Sequence, residues 1–207
     1  MKNQSKNFIS QITGRFSSKG IEKFETYLDQ GRIEYESGDF QRAIEYLEKA
    51  IKESEDKKIS KRSLQLVHIY LGRSLDGVKR YDESLKHLDI AIELDPKFHL
   101  AWYNKGCSLM EQNAYDKAIK YYDKAFELNQ KSDDALIKKA DTFLLMNDPT
   151  KAIESYKKAL GVNPDNEYTR TQIEKIEREI KMKEYAKKRA FDEKWLDGLL
   201  KRDQDES

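Results

Sequence analysis

Side chains able to do covalent or metal chemistry are few in this chain. Histidines stand at 68, 87 and 99, and Cys107 is the single cysteine. Three scattered imidazoles match no metal-binding HExxH pattern and no pairing of a nucleophile with a base. One cysteine excludes an intrachain disulfide and any zinc site built on several thiolates. No glycine-rich phosphate loop occurs either. Cys107 would be a nucleophile only as an exposed thiolate, and a small cysteine in a helix interior is more often buried and inert. The expectation is a protein without catalysis, metal or cofactor.

The elements that carry these residues follow from composition. The 207 residues are 37% charged and 38% hydrophobic, with three Pro and nine Gly, which suits helices with wet outer faces rather than a sheet protein. The length suffices for one ordinary domain or two small ones. Formal net charge is +1, so no global field draws the chain to nucleic acid or anionic lipid. No run of about 18 apolar residues occurs, and the N-terminus shows no apolar run before a small-residue cleavage site. The expectation is a soluble, cytoplasmic protein.

One period runs through the sequence. Ala43, Ser84, Ala118 and Ala152 are separated by 41, 34 and 34 residues. Gly31, Gly72, Gly106 and Ala140 repeat those differences, as do Phe40, Tyr81, Tyr115 and Pro149. In each unit the second segment has small residues seven apart, such as Ala118 and Ala125, with Tyr122 between them on one helical face. The first segment lines up Trp102, Gly106 and Leu109, matched by His68, Gly72 and Leu75. Small residues let two helices approach closely, and the larger one fills the space beside the contact. Each unit therefore reads as two antiparallel helices. Breaks within pairs are expected at Gly38, at Gly77 and Val78, at Gln112 and Asn113, and at Asn147 and Asp148, where Asp148 is the N-cap and Pro149 the first helical residue.

These residues resemble the tetratricopeptide repeat (TPR) family, most fully at Trp102, Gly106, Tyr115, Ala118, Tyr122 and Ala125. Gln130 replaces the closing proline, and Glu34 occupies an expected apolar site of the first unit. The resemblance implies an all-α, right-handed α-solenoid of four helix-turn-helix units with a long C-terminal capping helix. The expected limits are 24–57, 65–98, 99–132 and 133–166. Residues 1–23 would form a tail or short amphipathic segment, 58–64 a charged insertion giving a longer turn or an extended helix, 167–202 the C-terminal helix and 203–207 a disordered tail. His68 takes the tryptophan position, which argues for packing over catalysis.

A helix pair cannot bury its apolar face by itself, so neighbours stack and curve into a solenoid with a concave face. By resemblance, the first helices line that face. The lining holds Glu25, Asp29, Glu36, Asp76, Glu111, Asp134 and Asp141 against Arg32, Arg73 and Lys138, among Tyr and aliphatic residues. Such a groove suits an amphipathic, somewhat basic peptide or helix. Arg32, Tyr70, Arg73, Tyr103, Asn104 and Lys138 are the candidate contacts, since Tyr and Arg combine a flat apolar body with a polar tip. Asn104 and Lys138 also fit the carboxylate clamp by which many TPR proteins hold acidic chaperone tails. Ile69, Arg73 and Asp134 do not fit it, which argues against that ligand.

At the C-terminal end Ile173, Ile176 and Ile180 make one apolar stripe suited to covering the last repeat. The helix pattern then continues through Phe191, Trp195 and Leu199. Two readings of that extension stand: it packs on the chain's own repeats, or it seats in a groove of a second copy or a partner, making a self-associating scaffold. The basic run Lys187, Lys188 and Arg189 suits an acidic groove. At the other end Phe8, Ile9, Ile12 and Phe16, with Lys6, Arg15 and Lys19, form a short amphipathic segment, read as a tail or cover rather than a membrane anchor. RNA binding by a helical repeat needs a basic inner face, and the tally is acidic. The expected function is a protein-interaction adaptor or assembly scaffold, with no nucleic acid and no membrane as partner.

Overall fold

The computed structural model describes residues 18–55 and 58–205, with side chains described from residue 20 to residue 191. The described residues hold nine α-helices and no strand. They divide into two compact units, Met1–Gln130 and Lys131–Ser207.

The first unit contains three helix pairs: α1 (Ser18–Ser37) with α2 (Phe40–Ser54), α3 (Lys61–Gly77) with α4 (Tyr81–Leu94), and α5 (His99–Glu111) with α6 (Tyr115–Leu128). Each pair packs internally, α2 packs on α3, and α4 packs on α5. The first helices also meet one another, α1 with α3 and α3 with α5, so they share a face. The second unit contains the pair α7 (Asp134–Leu145) and α8 (Pro149–Val162), followed by α9 (Glu167–Asp205), which packs on α8.

Small residues bring the helices of each pair together. Ala43, Ser84, Ala118 and Ala152 are all fully buried, as are Ala50, Ala91 and Ala159, with Ala125 at 2% exposure. A β-carbon at Gly31 would lie 2.5 Å from the Leu47 side chain, and one at Gly106 would lie 2.7 Å from the Tyr122 ring. The glycines thus mark close approach of paired helices, not turns. Phe24, Leu47, Leu71 and Leu75 build the core between the first and second pairs. Glu34, at its otherwise apolar position, is held by the Arg42 guanidinium at 3.1 Å, which explains how a carboxylate is tolerated there.

The turn inside each pair is made the same way four times. Gly38, Lys79, Asn113 and Asn147 occupy one repeat position, and all have positive φ, between 57° and 84°. Glycine and asparagine are the residues that adopt this left-handed backbone with least strain. The break expected at Gly77 and Val78 is therefore displaced: Gly77 ends α3, and the left-handed residue is Lys79. Gly77 is small for another reason, since a β-carbon there would lie 2.3 Å from the Phe40 ring. Asp148 caps α8 through the Lys151 amide at 3.1 Å with Pro149 at the first turn, as expected, and Asp39 caps α2 through the Arg42 amide at 3.1 Å.

The charged stretch after α2 resolves into an added helical turn. Ser60 caps α3 through the Ser63 amide, and α3 opens at Lys61, four residues before the position equivalent to the start of α5. Residues 61–64, assigned to an insertion, belong to this longer helix, the extended-helix option. Residues 18–23, assigned to a tail or short amphipathic segment, belong to α1, and residues 203–205, assigned to a disordered tail, belong to α9. The segment with Phe8, Ile9, Ile12 and Phe16 lies outside the described residues. In the second unit α9 buries Ile173 and Ile176, leaves Ile180 half-buried, and is exposed at every residue of 181–191.

Candidate functional site

The polar centre of the first unit begins with two residues one helical turn apart on α3. Arg73 Nη1 donates to Asp76 Oδ2 at 3.0 Å, and Arg73 Nη2 lies 2.9 Å from Glu111 Oε1 on α5. The other Asp76 oxygen accepts from Ser108 Oγ at 2.9 Å, and Ser108 Oγ lies 3.3 Å from Ser84 Oγ of α4. Asp76 is 3% exposed, so this carboxylate is spent inside the protein, and the expectation that it faces a ligand is corrected. Burial pushes its pKa up, while the Ser84 and Ser108 hydroxyls and Arg73 act in the opposite direction. For Arg73 burial favours the neutral form, but the Glu111 carboxylate leads a set of neighbours that outweigh it, and its pKa is raised. The guanidinium is therefore permanently charged and clasped by α3 and α5 together.

Aromatic residues flank this clasp. The Tyr35 ring of α1 lies 5.6 Å from Tyr70 of α3 and 5.9 Å from Phe40. Tyr103 of α5 lies 6.0 Å from Tyr122, whose hydroxyl is 3.7 Å from the Met110 sulfur. Arg32 of α1 donates to Glu36 at 3.0 Å and lies 3.7 Å from Asp29; these contacts, the Glu36 hydrogen bond first, raise its pKa. Asn104 donates from its side chain to the Leu100 carbonyl at 2.7 Å.

Arg32, Tyr70, Arg73, Tyr103 and Asn104 thus all lie on the three first helices that share one face of the first unit. Tyr70 and Asn104 are half-buried there. Glu25, Asp29, Glu36 and Glu111 are exposed on the same helices, four acids against the two bases Arg32 and Arg73, so the acidic excess survives the loss of Asp76. Ile69 and Cys107 are buried at 6% and 5% exposure and belong to the core of the stack.

Lys138 stands on α7 in the second unit, 3.5 Å from Asp141, which also accepts a short hydrogen bond from the Tyr156 hydroxyl. Phe191 is 69% exposed on α9, and Trp195 and Leu199 lie on the same helix beyond the described side chains. Two of the three histidines meet, His68 pairing with His87, while His99 pairs with Asn129. Among the described residues no group of three or more His, Cys, Asp or Glu is placed to hold a metal, and no helix is long and apolar enough to cross a membrane.

Glu111 is in the expected lining but not among its candidate contacts, and Tyr35 is one of the lining tyrosines outside them. Ser84 is marked in the sequence only as a small residue of the repeat and Ser108 not at all, because residues 24 apart declare a hydrogen bond only once the helices are stacked.

Paired antiparallel helices of one repeating design define a helical-repeat α-solenoid, a class built to present surface to other proteins. Models of the tetratricopeptide repeat match residues 24–57, 99–132 and 133–166. The chain belongs to the tetratricopeptide repeat family. No curated protein matches it in sequence. Among solved structures it is similar to MamA (TM-score 0.58, 23% identity, 81% of this chain and 87% of that one). It is also similar to MamA from Desulfovibrio magneticus (0.57, 19%, 70% and 77%). A third is YrrB, described as a TPR protein with an unusual peptide-binding site (0.55, 21%, 69% and 70%). At these identities the likeness is one of fold.

Proposed function

We propose that the chain is a protein-interaction scaffold whose first unit binds an amphipathic, somewhat basic peptide or helix on the face formed by α1, α3 and α5. The observation that carries this reading is the strip of half-buried Tyr70, Arg73 and Asn104 set among the exposed carboxylates of Asp29, Glu36 and Glu111. Arg73 is held in place by Asp76 and Glu111, so little side-chain entropy remains to be lost on binding. Tyrosine and arginine in such settings supply anchors, and the acidic rim steers a basic ligand. A peptide-binding site in the structural neighbour YrrB is in keeping with this use of the fold.

The test is fluorescence anisotropy of the full chain against a panel of amphipathic helical peptides of matched length, basic, neutral and acidic. Preferential binding of basic peptides, lost in Tyr70→Ala/Tyr103→Ala and weakened by salt, supports the reading. Equal affinity across the panel, or binding unaffected by the double substitution, counts against it.

A second reading is self-association through α9, favoured by the exposure of Met182, Tyr185 and Phe191 at 63%, 67% and 69%. Light scattering on the full chain, its Phe191→Glu/Trp195→Glu variant and a version ending at Met182 decides it. A dimer that both changes convert to a monomer makes α9 an assembly element. A monomer throughout removes this reading.

A further inference from the structure

Three helix pairs repeat one ring contact between their first and second helices. In the first pair it is Tyr27 against Tyr46, with ring centroids 6.4 Å apart. In the third it is Trp102 against Tyr121 at 5.7 Å. The same positions of the fourth pair hold Leu136 and Ser155. In the second pair they hold His68 and His87, with ring centroids 5.2 Å apart and 22° between the ring planes. One copy of a contact that is aromatic in the first and third pairs has been replaced by two titratable rings.

Their geometry specifies a protonation state. The two Nδ1 atoms lie 3.0 Å apart, a distance that requires one proton between them. One ring therefore donates Nδ1–H, and the other accepts on a bare Nδ1 and carries its own proton on Nε2. A first added proton on the donor ring's Nε2 leaves the bond intact but places a charge in a partly buried contact. A second puts hydrogens on both facing Nδ1 atoms and two positive charges side by side, and the contact cannot survive it.

The charged neighbours do little to relieve this. On α4, Glu83 favours a charged His87, but it is held by Arg80 through two bonds of 2.7 Å, and Arg80 itself opposes that charge. Lys86 of α4 acts on Glu83, and Glu48 of α2 on Arg80. From α5, Lys105 is bound to Asp89 of α4. His68 is 9% exposed, and no carboxylate accepts from either ring among the described contacts.

We infer that the His68–His87 pair is an acid-sensitive latch that holds α3 to α4 near neutral pH and releases the second repeat when both rings are protonated. Burial, and for His68 the neighbouring His87, lowers both basicities, that of His68 to about 4. The sign follows: the unfolded chain takes up protons near the ordinary histidine value of about 6.5, before the folded pair does. The latch is fully engaged above that pH and weakens as pH falls towards about 4. Packing alone carries this inference, and it does not depend on the peptide-binding reading.

The full chain tests it in two ways. Nitrogen NMR of the imidazoles at neutral pH should show one Nδ1–H and one Nε2–H tautomer among His68 and His87, both titrating below about 6.5 and His68 the lower of the two. Two rings of the same tautomer, or either ring titrating near about 6.5, overturns the latch. In parallel, thermal melts are followed from about pH 7 to about pH 4.5 for the wild type and for His68→Tyr/His87→Tyr, the pair used in the first repeat. The wild type should lose more of its melting temperature on acidification than the variant; parallel losses overturn the inference. Should the variant fail to fold, the tautomers and titrations of the wild-type rings decide the question by themselves.

Discussion

At the level of single residues the most consequential group is Arg73, because it joins two helices and neutralises a buried acid. Truncating it leaves Asp76 buried without its cation. Arg73→Ala should cost about 2 kcal/mol or more near neutral pH, measured as the shift in denaturant midpoint, with Arg73→Lys losing less because one charge remains. Removing the cation raises the basicity of Asp76 further above that of an unfolded aspartate. Protonation of Asp76 then offsets the lost partner, so the deficit should shrink as pH falls through the folded-state value. A deficit that stays constant with pH would assign it to lost packing instead. Ala118, fully buried where α6 meets its neighbours, tests the register directly. Ala118→Leu should overpack that contact and cost roughly 1–3 kcal/mol, read as a lower melting temperature.

Helices and their turns obey rules that reach only a few residues, and this is where the sequence was most readable. The caps at Asp148 and Pro149 and the helix breaks beside Asn113 and Asn147 stand where local chemistry places them. The second turn misled because Gly77 looks like the turn residue, yet it is small to admit Phe40, a contact across helices that no local rule reports. Lys79 bears the left-handed backbone with φ of 62°. Lys79→Gly, the residue its counterpart Gly38 already is, should relieve that strain and stabilise the protein by about 1 kcal/mol or slightly less, seen as a raised denaturant midpoint with unchanged slope. The added turn at residues 61–64 has a similar origin, since Ser60 caps a helix that the repeat pattern starts later.

For the molecule as a whole, pH is the variable that separates its parts. The His68–His87 pair predicts that unfolding free energy falls by up to roughly 3 kcal/mol between about pH 6.5 and about pH 4, followed by denaturant melts at stepped pH. Hydrogen exchange should show that loss first in α3 and α4. Both compact units carry the repeat, but the latch belongs to Met1–Gln130, so amides of α7 and α8 should be the less sensitive to acid.

The sequence by itself determined the period, the paired helices, the close-approach positions and the family, because small residues recurring at 34 leave no other use for themselves than helix contact. It also marked Tyr70, Arg73, Tyr103 and Asn104 as residues of one face. Which charges on that face are already committed was decided only by tertiary structure. Asp76 turned inward to Ser108, Arg73 reached Glu111 38 residues away, and His68 found His87. Each of these depends on how neighbouring helices stack and which way a side chain turns on its helix, and one-dimensional spacing carries neither quantity.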